Sequence, residues 1–293
     1  MAAAGDTSYI AGALLAALVP DAIVAYSDAG VTSRLVEYAW RPKGDTISFT
    51  KWNMGTNKIT SADVASHTEA ADTTGSYLNS DKATITNAGY TVMVPLTEES
   101  LLSNDDSPET QIGRLITNAV RAKQDNLLNA LFDAFTTNAI NASTAALTVD
   151  HLYEAFGQIG NASDGDMPLY GVFYPSQLNG TYGLSNDLIT STSFLGSDTL
   201  NAGLKSAVYG QVAGINLARS REFTPANSAI KAGIFRKDAL GLGMVGYSKE
   251  MPFKVTAQYD GPKALWEYTA FMFGGVTEIN DAYGCEIWTR YQA

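Results

Sequence analysis

The sequence predicts an α+β protein, and three observations carry that prediction. Strand-like runs with alternating apolar residues recur from Ile47 to Trp288 without regular βα alternation. One long amphipathic helix, opened by Ser107 and Pro108, interrupts them early. A polar stretch, "NMGTNKITSADVASHTEAADTTGSYLNSD" from Asn53 to Asp81, separates two runs that read as paired strands and offers hardly any large apolar residue for burial.

The first segment, residues 1–33, is an Ala-rich apolar arm. Its run "YIAGALLAALVP" has no Lys or Arg before it, carries Asp6 where a signal peptide's positive region belongs, and is too short to span a bilayer. An amphipathic arm on a cytoplasmic protein is expected, with no membrane association, and the sequons at Asn141, Asn161 and Asn179 are chance patterns. Pro20, Ile23, Val24 and Tyr26 suggest a short helix flanked by extended chain.

Residues 34–96 read as a long hairpin and its base. In "WRPKGDTISFTKW" a turn feeds a strand in which Ile47 and Phe49 alternate with Thr46, Ser48 and Thr50. The return is "ATITNAGYTVMVPL". Ala83 and Ile85 share one parity and Tyr90, Val92, Val94 and Leu96 the other, so a bulge or bend is expected at Gly89.

Residues 97–147 contain the long helix, in "NDDSPETQIGRLITNAVRAKQDNLLNALFDAFTT". Ile112, Leu115, Ile116, Ala119, Val120, Leu127, Leu128, Leu131, Phe132 and Phe135 form its predicted buried stripe, broken near Lys123 and Gln124. Its length would be roughly 40 Å. A Ser/Thr/Asn linker is expected over residues 139–148.

In residues 148–250, "TVDHLYEAFGQIG" predicts a second helix with Leu152, Ala155, Phe156 and Ile159 inward. "MPLYGVFYP" is a buried strand stopped at Pro175, and "SQLNGTYGL" a helical turn. A surface loop is expected from Tyr182 to Ser206, then strands in "GQVAGINLARSREF" and "AIKAGIFRKDALGLGMVGY". Residues 251–293 read as long strands with a turn at Gly274-Gly275. No internal repeat is present.

Composition bounds the function. The chain of 293 residues suits one large domain or two moderate ones, and 45% apolar content excludes a mostly disordered chain. A net charge of −11 and a pI near 4.6 argue against a broad phosphate-binding face, so nucleic acid would be a neighbour without a specific site. Cys285 is the single cysteine, which excludes an intrachain disulfide.

Motifs for chemistry do not hold up in context. "GLGMVG", Gly241 to Gly246, has dinucleotide-loop spacing, but "YSKEMPFKV" follows and no helix opens there; a glycine-rich turn or bulged strand is the better reading. His67 and His151 lack a second His or Cys at ligand spacing. Cys285 has neither a base nor an orienting partner nearby and reads as a small buried residue. Glu98, Glu99, Asp105, Asp106 and Glu109 lack the spacing of a calcium loop and suit the positive end of a helix. Hence no catalytic, cofactor or metal residue is nominated, and an enzyme is the minority reading.

The order of these pieces resembles the major capsid protein of tailed double-stranded-DNA bacteriophages, the Hong Kong 97-type fold. "EYAWRPKGDTISFTKW" with "DKATITNAGYTVMVPLTEESL" matches the extended loop, and "SPETQIGRLITNAVRAKQDNLLNALF" the spine helix of the peripheral domain. "LYGVFYPSQLNGTYGL" and "VYGQVAGINLARSREF" match axial-domain elements, and residues 251–293 the strands returning to the peripheral domain. The resemblance implies hexamers and pentamers of an icosahedral shell enclosing double-stranded DNA, in a virion assembled in the bacterial cytoplasm. It also implies portal and scaffolding partners, with a decoration protein in some relatives. A polar stretch useless to its own core is then ordered by lying on a neighbouring subunit. Some members weld subunits by Lys to Asn isopeptide bonds; Lys51, Lys58 and Lys82 lie in or beside the loop, but no Asn and Glu partners are matched. The alternatives are an encapsulin-like bacterial compartment of the same fold and, from another class, a secreted carbohydrate-active enzyme. The early long helix disfavours a β-rich adhesin or tail component.

Overall fold

The computed structural model of the chain describes residues 30–52, 64, 80–103, 108–162, 168–179, 181–185, 210–225, 228–246, 248–249 and 252–291. Most of the expected N-terminal arm, nearly all of the polar stretch, Ser107 and most of the expected 182–206 loop lie outside them. In chain order come β1 (Glu37–Arg41), β2 (Thr46–Trp52), β3 (Ser80–Thr86), β4 (Ala88–Thr97), helix α1 (Glu98–Ser103) and the long spine helix α2 (Pro108–Ala130). They are followed by β5 (Ala139–Ala142), α3 (Val149–Ala162), β6 (Leu169–Phe173), α4 (Pro175–Leu178), β7 (Gln211–Val212), β8 (Ile215–Arg219) and β9 (Ala229–Arg236). The last are β10 (Leu240–Val245), β11 (Phe253–Asp260), β12 (Leu265–Glu278) and β13 (Gly284–Arg290). Helices and strands are mixed, as an α+β protein requires.

Strand β12 is the hub of the first sheet. Its alternation buries Trp266, Tyr268, Ala270 and Met272 on one face, where α2 packs. It pairs antiparallel with β11, β4 and β10, and β1 joins β10 in parallel. The turn expected at Gly274-Gly275 is absent, because β12 runs straight through both glycines. They serve close approach instead. A Cβ on Gly274 would sit 2.5 Å from the Gly243 carbonyl oxygen, and one on Gly275 2.6 Å from Ile85 Cγ2.

Within α2 the covered row is Ile112, Ile116, Val120, Leu128 and Phe132, the last running into a 3-10 turn at Leu131–Ala134. Phe135 is also buried, whereas Leu127 and Leu131 are half-buried and Leu115 and Ala119 exposed. Gln124, expected to break the stripe, is fully buried, its Nε2 3.3 Å from Met272 Sδ and 3.6 Å from Met244 Sδ. Residues four apart stack on one face, so the row 112, 116, 120, 124, 128, 132 meets the sheet and position 115 turns away. The described helix of 23 residues is about 35 Å long at 1.5 Å per residue.

The bend expected at Gly89 is a full break at Asn87. On either side β3 pairs with β2 and β4 with β12, in separate sheets. Asn87 holds the break by donating its N–H to Asp45 O at 3.0 Å and its side-chain amide to Gly44 O at 3.2 Å. The β2–β3 ribbon buries Ile47, Phe49, Ala83 and Ile85 against Ile279 and the glycine backbone of β10. A Cβ on Gly241 would lie 2.7 Å from the Phe49 ring, and one on Gly243 2.8 Å from Ile85 Cδ1. The "GLGMVG" segment is therefore a buried strand on which the hairpin base sits, not a phosphate loop. Gly243→Val is expected to lower stability by about 1–3 kcal/mol through overpacking, seen as a fall in Tm.

The second sheet has the order β5-β13-β9-β6-β8-β7 and is packed by α3 through Leu152, Ala155 and Ile159. Phe156, expected inward, is 44% exposed. Residues 139–142, read as linker, form β5 in parallel with β13, because Ile140 is buried beside Ile287. Two strands fall across the expected division at residue 250: β10 belongs to the first sheet, and β13 to the second. The chain changes sheets at the 3-10 turns Lys237–Ala239 and Asp281–Tyr283.

Candidate assembly surface

The N-terminal entry of the described chain is locked to the spine helix by a polar row. Asp125, 3% exposed, accepts hydrogen bonds from the N–H groups of Val31 at 2.7 Å and Ser33 at 2.9 Å. These amides belong to the start of the 3-10 turn Thr32–Arg34, which no side chain of its own caps. One turn on, Asn129 Oδ1 accepts from Thr32 Oγ1 at 2.7 Å, and its Nδ2 donates to Ser220 Oγ at 3.2 Å and Glu222 O at 2.8 Å. Arg121 Nη1 donates to Ser33 Oγ at 3.2 Å. Sequence reading missed this clasp, although Arg121, Asp125 and Asn129 recur every four residues beside the apolar row. Asp125→Ala is expected to cost about 3 kcal/mol, since hydrogen bonds to a charged group contribute about 1.5–3 kcal/mol each and two buried amides lose their acceptor. The urea midpoint measures it.

The described ends of the β2–β3 ribbon are Trp52 and Ser80, which are paired in register, and Trp52 is 58% exposed. Lys51 is half-buried and Lys82 exposed, while Lys58 and His67 lie outside the described residues. Burial and the nearby Asp281 push the Glu278 carboxyl up, and the Lys51 charge partly offsets them. On the outer face of the first sheet, Met93 is 55% and Phe271 44% exposed. Phe271 stacks on Phe273 at 6.3 Å, beside a groove of about 200 Å³ that also takes in Pro42, Pro252 and Phe253.

Of the remaining residues weighed for chemistry, His151, Cys285, Glu98 and Glu99 lie among the described ones. Thr148 and His151 cap α3 reciprocally: the Thr148 N–H donates to His151 Nδ1 at 3.3 Å, and the His151 N–H to Thr148 Oγ1 at 3.4 Å. Cys285 is buried in the second core, and burial pushes its thiol up to about 12, with Glu154 and Glu286 adding to the effect. Glu98 and Glu99 occupy the first turn of α1, where Thr97 Oγ1 accepts from the Ser100 N–H at 3.3 Å. Asp105 and Asp106 lie outside the described residues, as does the side chain of Glu109. An unpredicted ion cluster joins Lys231 to Asp133 and, at 3.0 Å, to Glu286, with the ammonium 5.1 Å above the Trp288 ring. Burial pushes the Glu286 carboxyl up against the pull of Lys231. Among the described residues no group of three His, Cys, Asp or Glu side chains is placed to hold a metal, and no helix is long and apolar enough to cross a membrane.

No family model and no curated protein matches the sequence. The three-dimensional structure is similar to many solved ones. The capsid of Cyanophage P-SCSP1u superposes with a TM-score of 0.65 at 15% identity, over 90% of this chain and 89% of that one. The fold is the Hong Kong 97-type capsid fold. The capsid of Ralstonia phage GP4 gives a TM-score of 0.62 at 11% identity, over 88% of each chain. The SrpI encapsulin of Synechococcus elongatus gives 0.55 at 14% identity, over 87% of this chain and 85% of that one.

Proposed function

We propose that the chain is the major shell subunit of a bacteriophage capsid, assembling through hexamers and pentamers into an icosahedral shell around double-stranded DNA. The observation that carries this reading is the similarity to phage capsid chains over about 90% of both proteins. The exposed apolar side chains Met93 and Phe271 suit a subunit that works by contact with copies of itself. The net charge of −11 suits a shell that encloses DNA without gripping it.

In this reading the first sheet with α2 is the peripheral domain, the second sheet with α3 is the axial domain near the capsomer centre, and residues 1–29 extend the N-terminal arm. Portal and scaffolding proteins are its partners during assembly in the host cytoplasm, with a decoration protein as an optional addition, and its final place is the virion. It performs no catalysis. Electron microscopy and light scattering of the purified protein at assembly-permissive concentration test this directly. Closed shells of megadalton mass are expected. A monodisperse compact monomer under all such conditions overturns the reading.

A second reading is favoured by the likeness to SrpI: a bacterial compartment of encapsulin type. Nuclease-resistant DNA in particles from the native source favours the phage capsid, and protein cargo without DNA favours the compartment.

A further inference from the structure

The two sheets meet at a joint made by the segment that follows the spine helix. Lys231, Gly233, Glu286 and Trp288 share one face of the β9–β13 pair, since 231 is opposite 288 and 233 opposite 286. The 3-10 turn Leu131–Ala134 lies on that face with its rings seated on glycine: a Cβ on Gly233 would be 2.5 Å from Phe132 Cδ1, and one on Gly284 would overlap the Phe135 ring. Beside the rings, Lys231 bridges Asp133 on the turn and Glu286 on β13. Farther along, Asp281 in the crossover turn Asp281–Tyr283 accepts from the N–H and hydroxyl groups of both Thr136 and Thr137 at 2.6–3.0 Å. Asn138 Nδ2 donates to Ala282 O at 3.0 Å and Gly284 O at 3.1 Å. We propose that this joint is a proton-operated brace: proton uptake by its carboxylates tightens the grip of residues 131–138 on the crossover, and proton loss lets the two sheets work loose from each other.

The reason is an excess of acid in one place. Asp133 and Glu286 face a single ammonium, and Glu286 is buried. At the end of β12, Glu278 stands near Asp281 and is relieved only in part by Lys51 of β2. From the other face of β13, α3 adds Glu154, which acts together with Glu286 on the Cys285 thiol. Arg236 at the end of β9 is engaged by Asp238 at 3.1 Å and lies over the Tyr283 ring at 4.2 Å. Burial pushes the Glu286 carboxyl up, with Lys231 pulling it back and Asp133 pushing it further, and burial and Asp281 push up that of Glu278. The folded chain therefore keeps protons at pH values where the unfolded chain has released them. The stability these two carboxyls contribute is complete below the ordinary carboxylate range and is lost as pH rises through their raised values. A protonated Glu286 still accepts from Lys231 and leaves the ammonium balanced against Asp133.

The proposal does not depend on shell formation and is tested on the full chain as a dilute, unassembled subunit. Hydrogen exchange, corrected for the intrinsic effect of pH on amide exchange, is followed at about pH 5 and about pH 8. The Thr136 and Thr137 amides donate to Asp281 and the Glu286 amide to Asn138 O, so all three report on the joint. The Ile234 and Ala270 amides, inside the second and first sheets, are the internal reference. The expected result is a several-fold gain in protection of the three joint amides, relative to the reference, at the lower pH. Glu286→Gln keeps the shape and the acceptor but cannot ionise, and Asp133→Asn removes a repelling charge at an exposed position where folding is not at stake. Each is expected to shrink the gain, and if Glu286→Gln does not fold, Asp133→Asn decides. No gain in the unaltered chain, greater protection at the higher pH, or a gain left unchanged by every variant that folds overturns the proposal.

Discussion

Ile116→Asp or Leu128→Asp is expected to leave no folded subunit. Both side chains are fully buried on the face of α2 that meets β12, among Trp266, Tyr268 and Met272. An aspartate there has no basic partner in the covered row and must either stay ionised in an apolar layer or bind a proton. Either route adds to the lost burial, for a total of several kcal/mol. A domain stable by about 5–15 kcal/mol has little margin for that. Lys123→Glu is the control: Lys123 is exposed, and its loss removes a cation–π contact with Tyr90 contributing about 0.5–1 kcal/mol. Soluble yield and thermal melting compare the three, and equal values would mean the buried face is misassigned.

Replacing residues 54–79 by an Asn-Gly turn is expected to leave the subunit folded near its original Tm while abolishing regular shells. The core-facing residues of the ribbon, Ile47, Phe49, Ala83 and Ile85, all lie outside the replaced segment and keep their contact with β10. The replaced stretch joins the paired ends Trp52 and Ser80, and as two extended strands its 26 residues would span up to roughly 40 Å at about 3.3 Å per residue. A two-stranded ribbon of that kind is marginal alone, so in a shell neighbours must supply its order. Heating followed by circular dichroism, with negative-stain microscopy of the same preparation, reads both halves of the prediction. Normal shells from the shortened chain would make the segment dispensable. Failure to fold would place it in the core.

Much of this architecture was legible because periodicity reports which side of an element is apolar. Ile47 with Phe49 and Ala83 with Ile85 could be paired from alternation alone, and Pro108 marks the helix start. The change of parity between Ile85 and Tyr90 was visible too, but parity says nothing about which partner each half takes, so the break at Asn87 was read as a bend. Gly274-Gly275 and Gly241 to Gly246 misled for a related reason. Glycine marks either a turn or a close approach, and only the chain packed against it decides which. Within α2, hydrophobicity favoured Leu115 over Gln124, yet the i,i+4 row that meets the sheet passes through Gln124, where two methionine sulfurs receive its amide. The Asp125 clasp depends on residues about ninety positions apart, which local pattern cannot join. No residue-level site was nominated, and the polar stretch that prompted the assembly reading lies almost wholly outside the described residues.

The pairing of β12 with β4, β10 and β11 has a consequence for synthesis. The spine helix ends at Ala130, but the strand against which its apolar row rests is not complete until Glu278. At about 5–20 residues per second the ribosome takes roughly 7–30 s to cover that interval. Throughout that time Ile112, Ile116, Val120 and Leu128 have no sheet to lie on. The parallel pair β1–β10 likewise joins Glu37 to Gly241, a contact across most of the chain. The first sheet therefore cannot close until translation is nearly over, and during that interval the apolar row of α2 lacks the strand it will rest on.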